Sequence, residues 1–429
     1  MERYCEMSKY KEVYENIKKQ IKDGKLKSKD YLKSEADLAI DYSCSVLTVR
    51  KALALLESEG YIQKIKGKKS IVLEKGDLKN ISLTSIQTFQ ELNKIKNIDN
   101  KTFLLYMTIV LFIIMYSIGI IMFGNKGFQK PQVFLNLFIS NAGLIVIATG
   151  MTMVIISGGI DISVGSFVAL TCMMLAYMME KGKMSAISSI VIVMVMGLVF
   201  GLVQGVLIAY LNIQPFIVTL AGMFFARGMT AIISQEMISI KNEAFLSWAN
   251  NKITIPIFGI VNKKGATIYP YIYPTVIVAM VILVLMFVLL RYTKFGRSIY
   301  AVGGNEQSAL LLGLNVKKIK LQVYILNGIL CSIGGFLFCL NTCAGFVEQA
   351  KGFEMEAIAG SVIGGTLLTG GVGNVFGSLF GVLIKGTIEA FVSFQGTLSS
   401  WWTKIIIAVI LAFFIILQSI LAMSKRGQK

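Results

Sequence analysis

The sequence predicts an all-α polytopic membrane protein of about ten transmembrane helices, preceded by a small winged helix-turn-helix domain. Three observations predict it. The 429-residue chain is 55% hydrophobic and 15% charged, with a mean hydropathy of +0.68, whereas a soluble domain carries about 25% charged residues. From Phe103 onward, apolar runs recur at the length of about 20 residues that crosses about 30 Å of hydrocarbon. Before Phe103 the chain is Lys-rich and mixed with acids, with the periodicities of short helices and a hairpin. These patterns divide it into a winged-helix domain at 1–75, a polar linker at 76–102 and a membrane domain at 103–429.

The N-terminal elements follow in order. KYKEVYENIKKQIKDG places Val13, Ile17 and Ile21 on one helix face and ends at Gly24. Ser34 and Asp37 form a capping box for a second helix through Leu38 and Ala39. A third helix from about Ser45 to Gly60 turns Val49, Leu53 and Leu56 inward and carries Thr48, Arg50 and Lys51 at its front. YIQKIKGKKSIVLE then reads as a two-stranded hairpin turning near Gly67. In the linker, a helix is expected near 86–95.

Spans are expected at 103–122, 134–156, 161–179, 186–210, 213–234, 272–291, 321–341, 355–371, 374–394 and 403–423. Arg291, Lys294, Arg297, Lys317, Lys318 and Lys320 flank the loop 292–320, and basic loops stay cytoplasmic. An even count of spans puts both termini in the cytoplasm and turns the loop 235–271 outward, where Trp248, Tyr269, Tyr271 and Tyr273 suit an interfacial cap. Within 292–320, Glu306 to Leu312 reads as a short helix with Asn305 as N-cap and Gly313 as its exit.

GGIDISVGS at 158–166 interrupts the apolar pattern. Asp161 has two readings: a gate beside a solute path, or the N-cap of a helix starting at Ile162, which the parity of spans favours. The glycines between Gly360 and Gly381 read as a helix-packing seam. Glu356, Lys385, Glu389 and Lys404 read as side chains snorkelling from span ends. Asn141, Gln204, Asn327 and Asn341 suit either polyol contacts in a pore or bonds between helices, the commoner use.

Composition removes whole classes of function. The net charge of +18 is split: the first hundred residues are Lys-rich and mixed with acids, while the rest carries its bases mostly at segment ends, where they anchor segments to anionic lipid and do not by themselves imply nucleic-acid binding. The chain has no histidine, and its six cysteines have no metal-ligand spacing. No catalytic constellation stands out, so an enzyme is not expected. No GxxxxGK[ST] loop occurs, so ATP is expected to bind elsewhere. Residues 1–30 are charged throughout, unlike a signal peptide.

Four runs carry a resemblance. GRSIYAVGGNEQSALLLGLNVKKIKL is similar to the cytoplasmic coupling loop of ribose-type ABC sugar permeases. GMTMVIISGGIDISVGSFVAL from Gly150, NIQPFIVTLAGMFFARG from Asn212 and FEMEAIAGSVIGGTLLTGGVGNVFGSLFG from Phe353 resemble the same family. The matches lie in order across about 103–423. Ser308-Ala309 and Leu312-Gly313-Leu314 depart mildly from the family's Ala-Ala and Ser-Gly-Ile. The resemblance implies coupling to a separate ABC ATPase through Gly303, Gly304, Asn305, Glu306, Ser308, Ala309, Leu310 and Gly313. It implies a translocation path or gate around Asn141, Gly158, Gly159, Asp161, Ser163 and Gly165. It also implies a second permease subunit, an extracytoplasmic sugar-binding protein, and a monosaccharide as solute. On this reading the chain is a multi-pass protein of the cytoplasmic membrane and holds no cofactor of its own.

The N-terminal part resembles the GntR-type DNA-binding domain, through Ser34-Glu35, Leu38-Ala39, Thr48-Val49-Arg50 and Gly67 among others. That implies DNA binding by Ser34, Thr48, Arg50, Lys51, Lys66, Gly67 and Lys68. Ala36 and Val46 stand where the family has basic residues that contact DNA, and Lys69 replaces its second wing glycine. The alternatives are a domain kept only for folding or partner contact, or a membrane-tethered, sugar-responsive transcription regulator.

Overall fold

The computed structural model describes residues 9–26, 30–59, 61–63, 70–72, 86–257, 259–261, 267–397, 399 and 401–426. The chain resolves into two compact units, Met1–Ile98 and Asp99–Lys429.

In the first unit, α1 (Lys9–Lys22), α2 (Glu35–Asp41) and α3 (Val46–Ser58) precede β1 (Ile62–Gln63), which pairs antiparallel with β2 (Ile71–Val72). The amphipathic spacing of α1 buries Val13 and Ile17 with Val49, Leu53 and Leu56 of α3. Ser34 Oγ accepts from the Asp37 amide at 3.2 Å, and the Asp37 carboxylate accepts from the Ser34 amide at 3.3 Å, the reciprocal bonds of a capping box. The hairpin turn, with Lys66, Gly67, Lys68 and Lys69, lies outside the described residues.

The helix expected near 86–95 continues unbroken into the first apolar run as α4 (Ile86–Phe123). There follow α5 (Pro131–Ile156), α6 (Val164–Glu180), α7 (Ala186–Ala209) and α8 (Pro215–Ile233). The intervening cap holds β3 (Ile238–Ser239), α9 (Glu243–Asn250), β4 (Ile253–Thr254), β5 (Ile260–Val261), β6 (Thr267–Ile268) and β7 (Tyr271–Ile272). Then come α10 (Pro274–Tyr292), α11 (Lys294–Gly304), α12 (Glu306–Leu311), α13 (Val316–Thr342), β8 (Ala344–Gly345), α14 (Phe353–Ile363), α15 (Val375–Gln395) and α16 (Trp401–Arg426). Proline at the first turn starts α5, α8 and α10, where its missing N–H has no helical partner to lose.

Among the described residues, seven helices are long and apolar enough to cross a membrane, and α6 and the apolar part of α16 are shorter. The expected span at 355–371 is not one helix. α14 has 11 residues, a rise of about 16 Å and half the hydrocarbon thickness. It stops at Gly364, and Gly365 turns the chain away at φ +89°.

α5 is the hub. Of its apolar window 89% is buried, against 22% in the window Leu104–Lys126. Close backbone approach makes this possible. A Cβ on Gly360 of α14, or on Gly364 just past its end, would meet the backbone or Val382 of α15 at Gly377–Val382. Gly360, Gly364, Gly377 and Gly381 of the expected glycine seam therefore do join two helices, whereas Gly365, Gly370, Gly371 and Gly373 pack elsewhere. A second seam joins α7 to α13, where Gly197 and Gly201 face the backbone of Gly328, Tyr324 and Ile325. β3 pairs with β8, tying the cap to the chain after α13.

Candidate functional site

The site grows from the polar loop between α10 and α13. Thr293 caps α11 by accepting from the Gly296 amide at 3.1 Å, and α11 buries Ile299 and Val302. Tyr300 donates from its hydroxyl to the Gly373 carbonyl at 2.8 Å. Burial pushes that hydroxyl up to about 12, so it stays a donor. Asn305 then caps α12, its Oδ1 accepting from the Ser308 amide at 2.8 Å. Glu306 pairs with Lys320 of α13 at 2.7 Å, and Gly313 leaves the helix at φ +79°.

The residues implied in coupling take different positions. Ala309 does not face outward. It is 1% exposed, and its carbonyl accepts from Leu314, so it is the foot of α12 rather than its docking surface. The outward surface is Leu310, Leu311 and Leu312, with Leu311 89% exposed. Gly303 and Gly304 both lie within α11, and neither has positive φ. Gly303 is required by space: a Cβ there would collide with the Ile156 carbonyl and the Gly371 amide. Those two groups are hydrogen-bonded to each other at 2.8 Å. A Cβ on Gly370 would meet the Gly303 carbonyl and Gly158. The loop is therefore packed directly on the end of α5 and on the turn after α14.

The end of α5 leads into the interrupted segment 157–163. Gly158 makes the break at φ +87°. α6 starts at Val164, with Ser163 in the cap position and no side-chain cap bond, so Asp161 is not an N-cap. Asp161 instead closes a buried network. Its Oδ1 accepts from the Ser163 amide at 2.9 Å and from Ser163 Oγ at 2.5 Å, and its Oδ2 accepts from Asn327 Nδ2 at 2.7 Å. Gln204 Nε2 donates to Ser163 Oγ at 2.9 Å. The break is thereby fixed to α13 and α7, and Asn327 and Gln204 take the interhelical role. Tyr324 crowds Gly159, and its buried hydroxyl has no hydrogen-bond partner among the described residues. Gly165 leaves room for the Glu354 carboxylate, a neighbour no sequence pattern marked.

Asn141 does not join this group. It stands 15 residues before Ile156 on α5, about 22 Å along the helix, and its Oδ1 accepts from Lys385 Nζ at 3.2 Å. Lys385 is not at a span end and does not snorkel: it lies mid-way along α15 and is buried. An ionisable residue inside an apolar run was the signal for it.

On the N-terminal unit, Ser34 spends its side chain on the capping box and Thr48 bonds Ser45 at 2.8 Å. Arg50 Nε lies 2.6 Å from Glu35. Lys51 is exposed, as are Ala36 and Val46 where the resembling family has basic residues.

Residues 133–415 match the family described as branched-chain amino acid transport system / permease component. Residues 9–72 match the family described as bacterial regulatory proteins, gntR family. The inner membrane ABC transporter permease protein YjfF of Escherichia coli strain K12 is 41% identical over 314 residues, 73% of this chain and 91% of that protein. The fructose import permease protein FruG of Bifidobacterium longum is 36% identical, covering 73% of this chain and 90% of that protein. The ribose import permease protein RbsC of Escherichia coli strain K12 is 34% identical, covering 64% and 81%. No solved structure matches the chain significantly.

Proposed function

The chain belongs to the branched-chain amino acid transport system / permease component family, and from that premise we propose that it is the membrane-embedded permease subunit of an ATP-binding-cassette importer for a monosaccharide. The relatives named for fructose and ribose import support the solute class. The chain does no chemistry of its own. ATP is bound by a separate ATPase, the solute is delivered by an extracytoplasmic binding protein, and a second permease subunit completes the pathway.

The observation that carries the reading is α12. A short helix is capped at Asn305, held at its foot by Ala309, and presents Leu310, Leu311 and Leu312 to the outside. Such a knob fits a groove of the ATPase, and each leucine buried there is worth about 1.5–3 kcal/mol. Motion of α12 passes through α11 to Ile156 and Gly371, which meet Gly303. These lie beside Gly158, so the force arrives at the broken segment carrying Asp161. There the network to Asn327 and Gln204 has to hold or rearrange as the solute path switches sides.

Leu311→Glu with Leu312→Glu tests this. The variant is expected to reach the membrane at normal level, to lose co-purification with the ATPase, and to lose uptake. Normal uptake would overturn the docking assignment.

The orientation follows from the same reading. We read α4, α5, α6, α7, α8, α10, α13, α14 with its turn, α15 and α16 as ten crossings, a reading with both termini and α12 in the cytoplasm and the cap at 235–271 outside. The N-terminal unit is kept as a weak DNA-binding or partner-binding module. Exposed Lys51 favours residual phosphate contact, and the Arg50–Glu35 pair opposes it.

A further inference from the structure

α14 and α15 place ionisable groups deep inside the membrane unit, beside Asn141 of α5. Lys385 is ten residues from either end of α15 (Val375–Gln395) and 8% exposed. Its ammonium lies 2.6 Å from Glu389 Oε1, 3.1 Å from Glu356 Oε2 and 3.2 Å from Asn141 Oδ1. The ammonium is thus paired with two carboxylates and donates to the Asn141 oxygen, while Glu356 Oε2 has no hydrogen-bond partner among the described residues. The carboxylates differ. The Glu389 side chain is 40% exposed and that of Glu356 19%. Lys404 lies near the start of α16, which packs against α14 and α15.

The open side faces the end of the unit away from α12. Lys126 donates to the Phe394 carbonyl at 2.9 Å, and Phe128 packs against Phe391 and Phe394, so the start of α5 and the end of α15 lie together there. Glu389 is six residues from the end of α15 (Gln395), about 9 Å along the axis. Lys385 partners this carboxylate on one side, and the 40% of the Glu389 side chain that stays exposed at that depth cannot face lipid cheaply. Two acids and two ammonium groups balance in charge, so the set repels neither sign. Fixed carboxylate and amide oxygens suit hydroxyl donors.

We propose that Glu389, Glu356 and Lys404 line a water-filled recess at this end, with Lys385 and Asn141 as its fixed floor, and that the recess takes neutral polyhydroxylated solutes. The solute class rests on the permease reading; the recess does not.

The test uses the full chain in proteoliposomes with its six cysteines replaced. Ser393→Cys, one turn beyond Glu389 on the same face, is exposed to cationic and anionic aqueous thiosulfonates. Glu236→Cys in the cap serves as an accessible control, and Val409→Cys on the apolar face of α16 as an inaccessible one. Ser393→Cys is expected to react like the cap control. Adding Glu389→Gln should lower the cation-to-anion rate ratio by about tenfold, since one charge about 6 Å away in water changes each reagent's rate about threefold and in opposite directions, and Lys404→Gln should raise it. D-ribose, D-galactose or D-fructose should slow the labelling. Silence at Ser393→Cys would mean packing against protein or lipid and would overturn the recess. A ratio unmoved by both charge variants would overturn its lining, and failure of all three sugars would overturn its ligand. None of these readouts needs transport, so they stand or fall apart from the docking test on α12.

Discussion

At Gly303 the reason for a glycine is space. Its neighbour Gly304 has open surroundings, while Gly303 is pressed against the Ile156 carbonyl and the Gly371 amide. Gly303→Ala should therefore destabilise the membrane unit by about 1–3 kcal/mol through overpacking, and Gly304→Ala should be close to neutral. Thermal melting of the two variants in detergent checks the contrast; equal melting points would refute it. Ala309 is a similar lesson. Reading it as outward would assign any defect of a charged substitution to lost docking, whereas its burial assigns the defect to the foot of α12. Asp161 shows the opposite: one carboxylate accepts three hydrogen bonds and joins the break before α6 to α13, and leaving such buried partners unpaired costs about 1–3 kcal/mol each.

Among the elements, α3 bears on whether the N-terminal unit still reads DNA. Its front offers Arg50 and Lys51, but Arg50 is held by Glu35 at 2.6 Å and Val46 is exposed where a basic residue would be needed. The pair is solvent-exposed and worth at most about 1 kcal/mol, so it weakens a phosphate contact without abolishing it. Binding of a duplex to the wild-type protein is expected to be weak and steeply salt-dependent. Val46→Arg with Ala36→Arg should tighten it and steepen the log–log salt slope by about 0.9 for each further phosphate neutralised. Fluorescence anisotropy at several salt concentrations measures this. Nanomolar, salt-insensitive binding by the unmodified chain would show that the two absent arginines matter little.

For the whole molecule, the proposed orientation makes a direct prediction. A cysteine at Gln307, on α12, should react with membrane-impermeant reagents only from the cytoplasmic side, and one at Ser247, in α9 of the cap, only from outside. The reverse pattern in intact cells and inverted vesicles would invert the topology and detach α12 from any cytoplasmic ATPase. The even number of crossings depends on α14 and its glycine turn together spanning the bilayer. Labelling that places Phe353 and Val375 on the same side would remove one crossing and contradict the cytoplasmic C-terminus.

The sequence by itself determined the class of the protein, its division into an N-terminal domain and a membrane part, and the local caps at Ser34 and Asn305. Hydrophobic run length, basic-residue placement and short-range pairs such as Ser34–Asp37 and Asn305–Ser308 act within a few residues, so they are legible in one dimension. It did not determine which glycines are steric, which polar residues meet, or which face of a short helix is free. Gly303 meets residues 156 and 371, Asp161 meets Asn327, and Lys385 meets Glu356 and Asn141 only after the chain has folded back on α5. The 355–371 run reads as a span because its composition is apolar; its glycines end the helix at Ile363, where Gly364 lies against Gly377 of α15. That contact belongs to the packing of two helices and appears in neither run alone.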